Sequence, residues 1–269
     1  MSTKPISPEA LRRYIQEHKE KHYLLVDVRQ PEEYRQGHIP GASLIPLPQL
    51  VQDMEQLPAD KELIFYCHVG GRSMAAAAMV EEEGREGSIY NLTGGIAAWD
   101  GERVPDMPRL KLFAGQASPE AFRTAMDLEK GAQIFYQSVG ERYPDRSWAT
   151  VFARLAKAER AHAKAVHGFW RQAQPELEDF DTLYDAMAGD ILEGGTPLRE
   201  ALDKLQHIGD DPFLRLIEVA LQIEYAAFDL YRVLADQHQE TAVQEAFISL
   251  AQSEKAHMQS LIAALDNQA

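Results

Sequence analysis

A doubled glutamate–histidine motif in the second half of the chain constrains the fold more than any other sequence feature. The segment Glu159-Arg160-Ala161-His162 returns near the C-terminal end as Glu254-Lys255-Ala256-His257. Each copy follows a single glutamate at the same distance along the chain, Glu129 for the first and Glu224 for the second. Carboxylates and imidazoles repeated in this way indicate one shared site that holds two metal ions.

Helical periodicity surrounds both copies of the motif. Four long helical segments are predicted, at roughly residues 118–139, 146–172, 211–236 and 240–266. Apolar residues recur along them at intervals of three and four, and the motif residues fall within these core stripes. Short turns join the segments into two hairpins, whereas residues 173–210 form a long connection with short helices predicted at 180–192 and 197–207. Two hairpins joined by one long crossover predict an all-α four-helix bundle.

The six polar residues of the doubled pattern are predicted to lie in one layer of this bundle. At a rise of 1.5 Å per residue, their distances from the turns of their hairpins differ by only about 5 Å. Four buried carboxylates without compensation would cost several kcal/mol each, and two divalent ions would offset that cost. The predicted metal ligands are Glu129, Glu159, His162, Glu224, Glu254 and His257.

The composition of this donor set favours iron over zinc, with manganese as the alternative metal. Each ion would have one imidazole among several carboxylates, which is typical of iron and manganese sites. We expect the motif glutamates, Glu159 and Glu254, to bridge the two ions. In each half, the upstream glutamate and the motif histidine would then be terminal ligands. The competing interpretation is a buried network of ion pairs that holds no metal.

The first 110 residues follow a different pattern. Short apolar runs at residues 23–28, 62–66 and 88–92 alternate with helix-forming segments. This alternation predicts a parallel sheet with helices on both faces. Two prolines, Pro105 and Pro108, end the pattern before a fresh helix start at Ser118. We therefore predict an α/β domain at residues 1–110 and an all-α domain at residues 111–269.

One loop of the α/β domain carries candidate chemistry. The second apolar run leads directly into Cys67, which is followed by His68, Val69, Gly70, Gly71, Arg72 and Ser73. Backbone N–H groups at the start of the next helix, together with the charge of Arg72, favour a thiolate over a thiol. Cys67 is therefore predicted to be a nucleophile with a lowered pKa. The competing interpretation is a free cysteine packed as a small apolar side chain.

Several further motifs in the first 105 residues resemble the rhodanese domain. They are Asp27-Val28-Arg29, Pro31-Glu32-Glu33-Tyr34, Gly37-His38-Ile39-Pro40-Gly41-Ala42 and Leu92-Thr93-Gly94-Gly95-Ile96-Ala97-Ala98-Trp99. The resemblance implies a sulfurtransferase in which Cys67 accepts a sulfane sulfur as a persulfide and loop residues 68–73 surround it, with Cys67 and Arg72 catalytic. The sulfur donor would be thiosulfate or another small sulfane-sulfur compound. The acceptor would be a thiol or a cyanide-type nucleophile.

The helical half resembles the rubrerythrin-like branch of the ferritin-like superfamily. This resemblance implies a non-haem di-iron centre that reacts with peroxide or dioxygen. Rubrerythrins carry an added glutamate one turn before the third-helix ligand, where this chain has Leu221, and they usually bring a rubredoxin module with four cysteines. Cys67 is the only cysteine here, so the electron donor is unknown. Bundles of this kind often dimerise, and the resemblance leaves a homodimer open.

Composition and charge argue against several other classes. The net charge of −15 repels phosphate backbones, so nucleic acid is not an expected partner. No apolar run approaches the roughly 20 residues needed to cross a bilayer, and the N-terminal residues lack the apolar region of a secretory signal. A single cysteine fits a reducing compartment. We therefore expect a cytoplasmic protein without a membrane span.

Two classes of function remain open on these observations. The leading hypothesis joins a sulfurtransferase, with persulfide on Cys67, to a di-iron oxidoreductase that reacts with peroxide or dioxygen. The alternative is a binding protein whose bundle stores or senses iron and whose first domain carries persulfide without turnover.

Overall fold

A computed structural model describes residues 3–85, 87–206, 212–238 and 240–266. The chain divides into two compact units, Met1–Met107 and Pro108–Ala269. Within the described ranges, no helix combines the length and the apolar character that crossing a membrane requires.

The first unit is built on a five-stranded sheet in which every strand pair is parallel. Its strands are β1 (Lys4–Ile6), β2 (Tyr23–Asp27), β3 (Ser43–Leu44), β4 (Glu62–Tyr66) and β5 (Ile89–Leu92), in the order β1-β5-β4-β2-β3. The predicted parallel sheet is confirmed, and the three predicted strands are its central members. The two edge strands were not predicted, because runs of three and two residues carry no readable periodicity.

Helices cover both faces of this sheet, as the sequence predicts. They are α1 (Pro8–Glu17), α2 (Pro31–Arg35), α3 (Leu47–Asp53), α4 (Gly71–Glu82) and α5 (Gly95–Ala98). Leu11 and Tyr34, from α1 and α2, belong to the apolar cluster on one face. Leu50 and Ala76, from α3 and α4, belong to the cluster on the other face. Because both faces are buried, the central strands are almost entirely apolar rather than alternating.

A buried ion pair fixes the chain where it leaves β2. Arg29 Nη2 lies 2.7 Å from Asp27 Oδ2, and the two side chains are only 5 % and 0 % exposed. The same Nη2 donates to the carbonyl of Gly37 at 2.9 Å, so the guanidinium ties the strand end to the following turn. The role of this pair is therefore structural.

Replacing Arg29 with leucine is expected to lower the free energy of unfolding of the first unit by roughly 3–5 kcal/mol. The reason is that Asp27 would remain buried without its partner. Hydrogen exchange of the β2 amides, measured by mass spectrometry, reports this unit separately. Arg13→Ala is the matched control, because its ion pair with Glu9 is 64 % and 70 % exposed and should contribute less than about 1 kcal/mol. Unchanged β2 protection in Arg29→Leu would contradict the assignment.

The second unit is largely helical. Its long helices are α6 (Ser118–Arg142), α7 (Ala149–Ala173), α10 (Pro212–Gln237) and α11 (Thr241–Asp266), with α8 (Phe180–Asp185) and α9 (Leu198–Gln206) between α7 and α10. Helix α6 packs against α7, α10 against α11, and α11 also against α7. The prediction of four long helices in two pairs is confirmed, and α6 runs three residues beyond its predicted end at 139. The ends predicted at residues 207 and 211 lie outside the described residues.

The connection between the two helix pairs differs from its prediction. Helix α8 ends at Asp185, although a helix was predicted through residue 192. From there the chain is irregular, because its polar backbone groups bond elsewhere: the N–H of Gly189 donates to Asp127 Oδ1 of α6 at 2.9 Å, and the N–H of Leu192 donates to the carbonyl of Thr196 at 2.8 Å. A short 3-10 turn, Glu193–Gly195, follows before α9.

The core of the second unit consists of two apolar clusters. Phe122, Met126, Val166, Tyr231 and Phe247 belong to one cluster. Tyr136, Phe152, Leu155, Ile217 and Leu261 belong to the other. Along α6, α7 and α10, the buried glutamates Glu129, Glu159 and Glu224 stand where one cluster gives way to the other.

Candidate functional site

Cys67 lies at the carboxyl end of β4, where the chain curls into α4. Gly70 caps α4 in the left-handed region, with φ +102°, a conformation that side-chain-bearing residues rarely adopt. This curl lets the N–H of Gly70 donate to Cys67 Sγ at 3.1 Å, and the Ser73 hydroxyl donate to it at 3.5 Å. The thiol is 1 % exposed, whereas His68, Val69 and Gly71 of the loop are exposed.

The turn after β5 is hydrogen-bonded to the loop that follows Cys67. The N–H groups of Ile96 and Ala97 donate to the carbonyls of Cys67 and His68 at 2.8 and 2.9 Å. A Cβ at Gly95 would stand 2.4 Å from the Cys67 carbonyl, so the close approach requires a glycine there. The loop is therefore held by its own helix start on one side and by the start of α5 on the other.

The environment of the thiol lowers the pKa of Cys67 from its ordinary value. Burial opposes ionisation, but hydrogen bonds from the Ser73 side chain and from the N–H groups of Ser73, Gly70 and Val69 outweigh it. A thiolate stabilised in this way is the reactive form of cysteine. The geometry thus supports the predicted nucleophile over an inert packed cysteine.

Arg72, the other predicted catalytic residue, is held by a carboxylate that was not predicted to belong to the site. Its Nη1 and Nη2 atoms each lie 2.7 Å from an oxygen of Glu33 on α2. This hydrogen-bonded pair lowers the pKa of Glu33 to about 2. Glu33 therefore fixes the guanidinium at the mouth of the loop. Its place in the motif Pro31-Glu32-Glu33-Tyr34 was the available signal.

Replacing Ser73 with alanine is expected to raise the pKa of Cys67 by about one pH unit. The variant loses a hydrogen bond to the thiolate, and such a bond to a charged group contributes about 1.5–3 kcal/mol when its geometry is good. Because the thiolate is the reacting form, the rate of alkylation by iodoacetamide should rise at higher pH than in the wild type. Ser138→Ala, in the second unit, removes a hydroxyl that donates to the Ile134 carbonyl of its own helix and is the control. Superimposable pH profiles would contradict this role for Ser73.

The second unit brings all six predicted metal-site residues together. His162 Nδ1 lies 3.2 Å from Glu129, 3.1 Å from Glu159 and 3.7 Å from Glu254. His257 Nδ1 lies 3.3 Å from Glu159, 3.1 Å from Glu224 and 3.1 Å from Glu254. The two motif glutamates thus approach both imidazoles, and each upstream glutamate approaches one. The two imidazole rings face each other with centroids 4.8 Å apart.

The charges of this cluster are balanced by mutual contact rather than by solvent. Burial alone would disfavour the imidazolium, but the neighbouring carboxylates raise the pKa of His162 and of His257 to about 9. Burial raises the pKa of Glu159 to about 7, against the opposing effect of the histidines. Burial and the neighbouring carboxylates raise the pKa of Glu254 well above its ordinary value. Without a cation, this cluster therefore stays buried only by retaining protons.

Two tyrosines extend the cluster in a reciprocal arrangement. Tyr136 on α6 donates a hydrogen bond to Glu224 on α10. In return, Tyr231 on α10 donates to Glu129 on α6 at 2.7 Å. Both rings are fully buried. Each tyrosine therefore orients one upstream glutamate, in addition to packing in the core.

A seventh residue, Glu193, joins the cluster from the connection between the helix pairs. One oxygen from each of Glu129, Glu159, Glu193 and Glu254 lies within 4.8 Å of the others. The same limit holds for one ligand atom each from Glu159, His162, Glu254 and His257. Glu193 was not predicted from the sequence, because it lies in an irregular segment without helical periodicity. The adjacent Gly194-Gly195 was its only local signal.

The residues of this cluster fit a divalent metal pair by their donor chemistry. Carboxylate oxygens and imidazole nitrogens converge at distances that one or two ions can span. The side chain of Glu193 is only 1 % exposed, so water cannot readily reach it, yet neither of its oxygens accepts a hydrogen bond from an N–H or O–H donor among the described residues. A buried carboxylate left in this state requires a cation or a proton.

The fold and loop of the first unit define a class: a parallel α/β domain with a cysteine at a strand–helix junction whose Sγ accepts hydrogen bonds from the loop. The family described as "Rhodanese-like domain" matches residues 7–102. A putative sulfurtransferase YtwF of Bacillus subtilis is 39 % identical over 105 residues, which are 39 % of this chain and 98 % of that protein. The chain therefore belongs, through its first unit, to the rhodanese-like family.

Other similar proteins match comparable parts of the chain. A sulfurtransferase of Allochromatium vinosum is 40 % identical over 82 residues, which are 30 % of this chain and 76 % of that protein. The crystal structure of a rhodanese-like domain protein from Staphylococcus aureus is 30 % identical, with 37 % of this chain and 93 % of that chain covered and a TM-score of 0.34.

Proposed function

We propose that the first unit is a sulfurtransferase that carries sulfane sulfur as a persulfide on Cys67. The observation that carries this proposal is the thiol itself, whose Sγ accepts hydrogen bonds from Gly70 and Ser73 and whose pKa is lowered. The similarity to proteins named as sulfurtransferases supports it. Thiosulfate or another small sulfane-sulfur compound would be the donor, and a thiol or cyanide the acceptor.

The proposed reaction needs only groups of the loop and the two substrates. The Cys67 thiolate attacks the outer sulfur of thiosulfate, the S–S bond of the donor breaks, and sulfite leaves with the electron pair. The N–H groups of Val69 and Gly70 and the Ser73 hydroxyl stabilise the thiolate, and they can stabilise the persulfide anion that replaces it. Cyanide or a thiolate then attacks the terminal sulfur and regenerates the Cys67 thiolate. Arg72, fixed by Glu33, attracts the anionic donor.

Cys67→Ser is expected to abolish thiocyanate formation from thiosulfate and cyanide, because serine cannot hold the transferred sulfur. The wild type treated with thiosulfate alone should gain the mass of one sulfur atom on the peptide that contains Cys67. Glu33→Gln should retain the persulfide but raise the KM for thiosulfate, because Arg72 loses its fixed position. Thiocyanate formation by Cys67→Ser at the wild-type rate would sink the proposal.

For the second unit we propose a ferritin-like bundle with a di-iron centre that reacts with peroxide or dioxygen, manganese being the alternative metal. The observation that carries it is the convergence of buried carboxylates with two imidazoles in one cluster. The residues proposed to hold the two ions are Glu129, Glu159, His162, Glu224, Glu254 and His257. When bound, ferrous ions would supply the two electrons that reduce a peroxide.

The surrounding residues are proposed to orient the ligands of this centre and to limit its contact with water. Tyr136 and Tyr231 hold Glu224 and Glu129 by hydrogen bonds across the helix pair, so these carboxylates keep one orientation. The apolar clusters on either side of the layer limit its contact with water. Nδ1 of each histidine points at the carboxylates and is the atom available to a metal. Releasing the proton from each imidazole is then a condition for metal binding.

Metal-free protein is expected to bind two ferrous ions per chain anaerobically and to gain near-ultraviolet absorption when air is admitted. His162→Ala should lose at least one ion and most of that absorption, because it removes a ligand from the shared layer. His238→Ala is the control, since His238 packs against Phe247 and takes no part in the cluster. A folded wild type that binds no iron would overturn the di-iron proposal. Binding without any consumption of peroxide or dioxygen would favour the storage or sensing alternative.

A further inference from the structure

Glu193 reaches the metal-site layer from outside the four long helices. It begins the 3-10 turn Glu193–Gly195 in the connection between α7 and α10. Its side chain is 1 % exposed, and one of its oxygens lies within 4.8 Å of oxygens from Glu129, Glu159 and Glu254. Neither of its oxygens meets a hydrogen-bond donor among the described residues. The side chain is thus aimed into the cluster, where no N–H or O–H group of the described residues donates to it.

The backbone around Glu193 is shaped for this close approach. A Cβ at Gly131 of α6 would stand 2.1 Å from the carbonyl oxygen of Ile191, so the connection lies directly on that helix. On the other side, Gly194 has φ +73°, and a Cβ there would stand 2.5 Å from the Cβ of Ala226 on α10. Glycines at both points therefore let the connection enter between α6 and α10.

The position of Glu193 makes the cluster asymmetric. The six residues of the doubled motif form two similar halves, one with Glu129 and His162 and the other with Glu224 and His257. Glu193 groups with Glu129 and with the two glutamates shared by both halves. One half thus has a carboxylate for which the doubled sequence pattern offers no counterpart.

We propose that Glu193 is a seventh ligand of the dimetal centre and binds the ion held by Glu129 and His162. This inference rests on the metal centre proposed above. An additional anionic oxygen ligand strengthens the attraction for a divalent cation. It also adds a hard donor to the ligand set, which favours ferrous or manganous ions over zinc. The half that contains Glu193 is therefore the tighter of the two metal positions, and it fills first.

The test is an anaerobic titration of the metal-free full-length protein with ⁵⁷Fe²⁺, followed by Mössbauer spectroscopy and calorimetry. The wild type should bind two ions in unequal steps, with one spectral component filling first. Replacement of an outer-shell partner typically weakens metal binding 10–100-fold, so loss of a direct ligand should cost at least about tenfold. In Glu193→Gln the tighter step should weaken by that factor, and the component that fills first should change its parameters. Asp190→Asn, an exposed carboxylate of the same connection, is the matched control.

Thermal unfolding of the metal-free proteins separates a ligand from a structural residue. Removing a buried carboxylate that has no donor should leave Glu193→Gln at least as stable as the wild type without metal. A variant that is less stable without metal, yet binds both ions as the wild type does, would show a structural role and overturn the inference. Unchanged titration steps and spectra would also overturn it while the metal centre stands. A wild type that binds no ion would instead refute the centre itself.

Discussion

The stability of the second unit depends on how the charge of one buried layer of carboxylates is compensated. Glu129, Glu159, Glu224 and Glu254 are each 0 % exposed, and apolar clusters pack on either side of their layer. Protonated histidines compensate part of this charge when no metal is bound, and metal ions would compensate it more completely. The apolar packing must therefore be strong enough to hold the helices together before the charge of this layer is fully compensated. For the proposed metal centre, this means that the second unit gives up stability to keep the ligands in place before a metal binds.

The doubled motif was readable from the sequence because helical geometry relates spacing to position. Glutamate and histidine three residues apart lie on one helix face, and matched distances to the turns place both copies at one height. Glu193 was not readable, because its position follows from the path of an irregular segment between two helices. That path requires a glycine at position 131, because a Cβ there would clash with the carbonyl oxygen of Ile191. No residue near Gly131 in the sequence indicates this contact. Tertiary contact, rather than periodicity, determines such a residue.

The first unit shows the same division between local and tertiary information. The strand, the loop and the helix around Cys67 follow from the order of apolar, glycine and helix-forming residues. The partner of Arg72 does not, because Glu33 lies on another helix and approaches only in the folded sheet. The loop hydrogen bonds to Cys67 need no distant residue, so its lowered pKa could be inferred from the sequence. The lowered pKa of Cys67 is thus a local property, whereas the position of the Arg72 charge beside it depends on tertiary contact.

Symmetry in the second unit is broken by the connection rather than by the helices. Tyr136 donates a hydrogen bond to Glu224, and Tyr231 donates one to Glu129, so both upstream glutamates have the same kind of partner. A centre built only from these pairs would offer two nearly equivalent metal positions. Glu193 adds a carboxylate to one of them, at the conformational cost of glycines that let the backbone approach. In the proposed centre, two inequivalent ions would differ in affinity and in reactivity, which a symmetric pair cannot, and that difference would give the long connection a chemical role beyond linking two helix pairs.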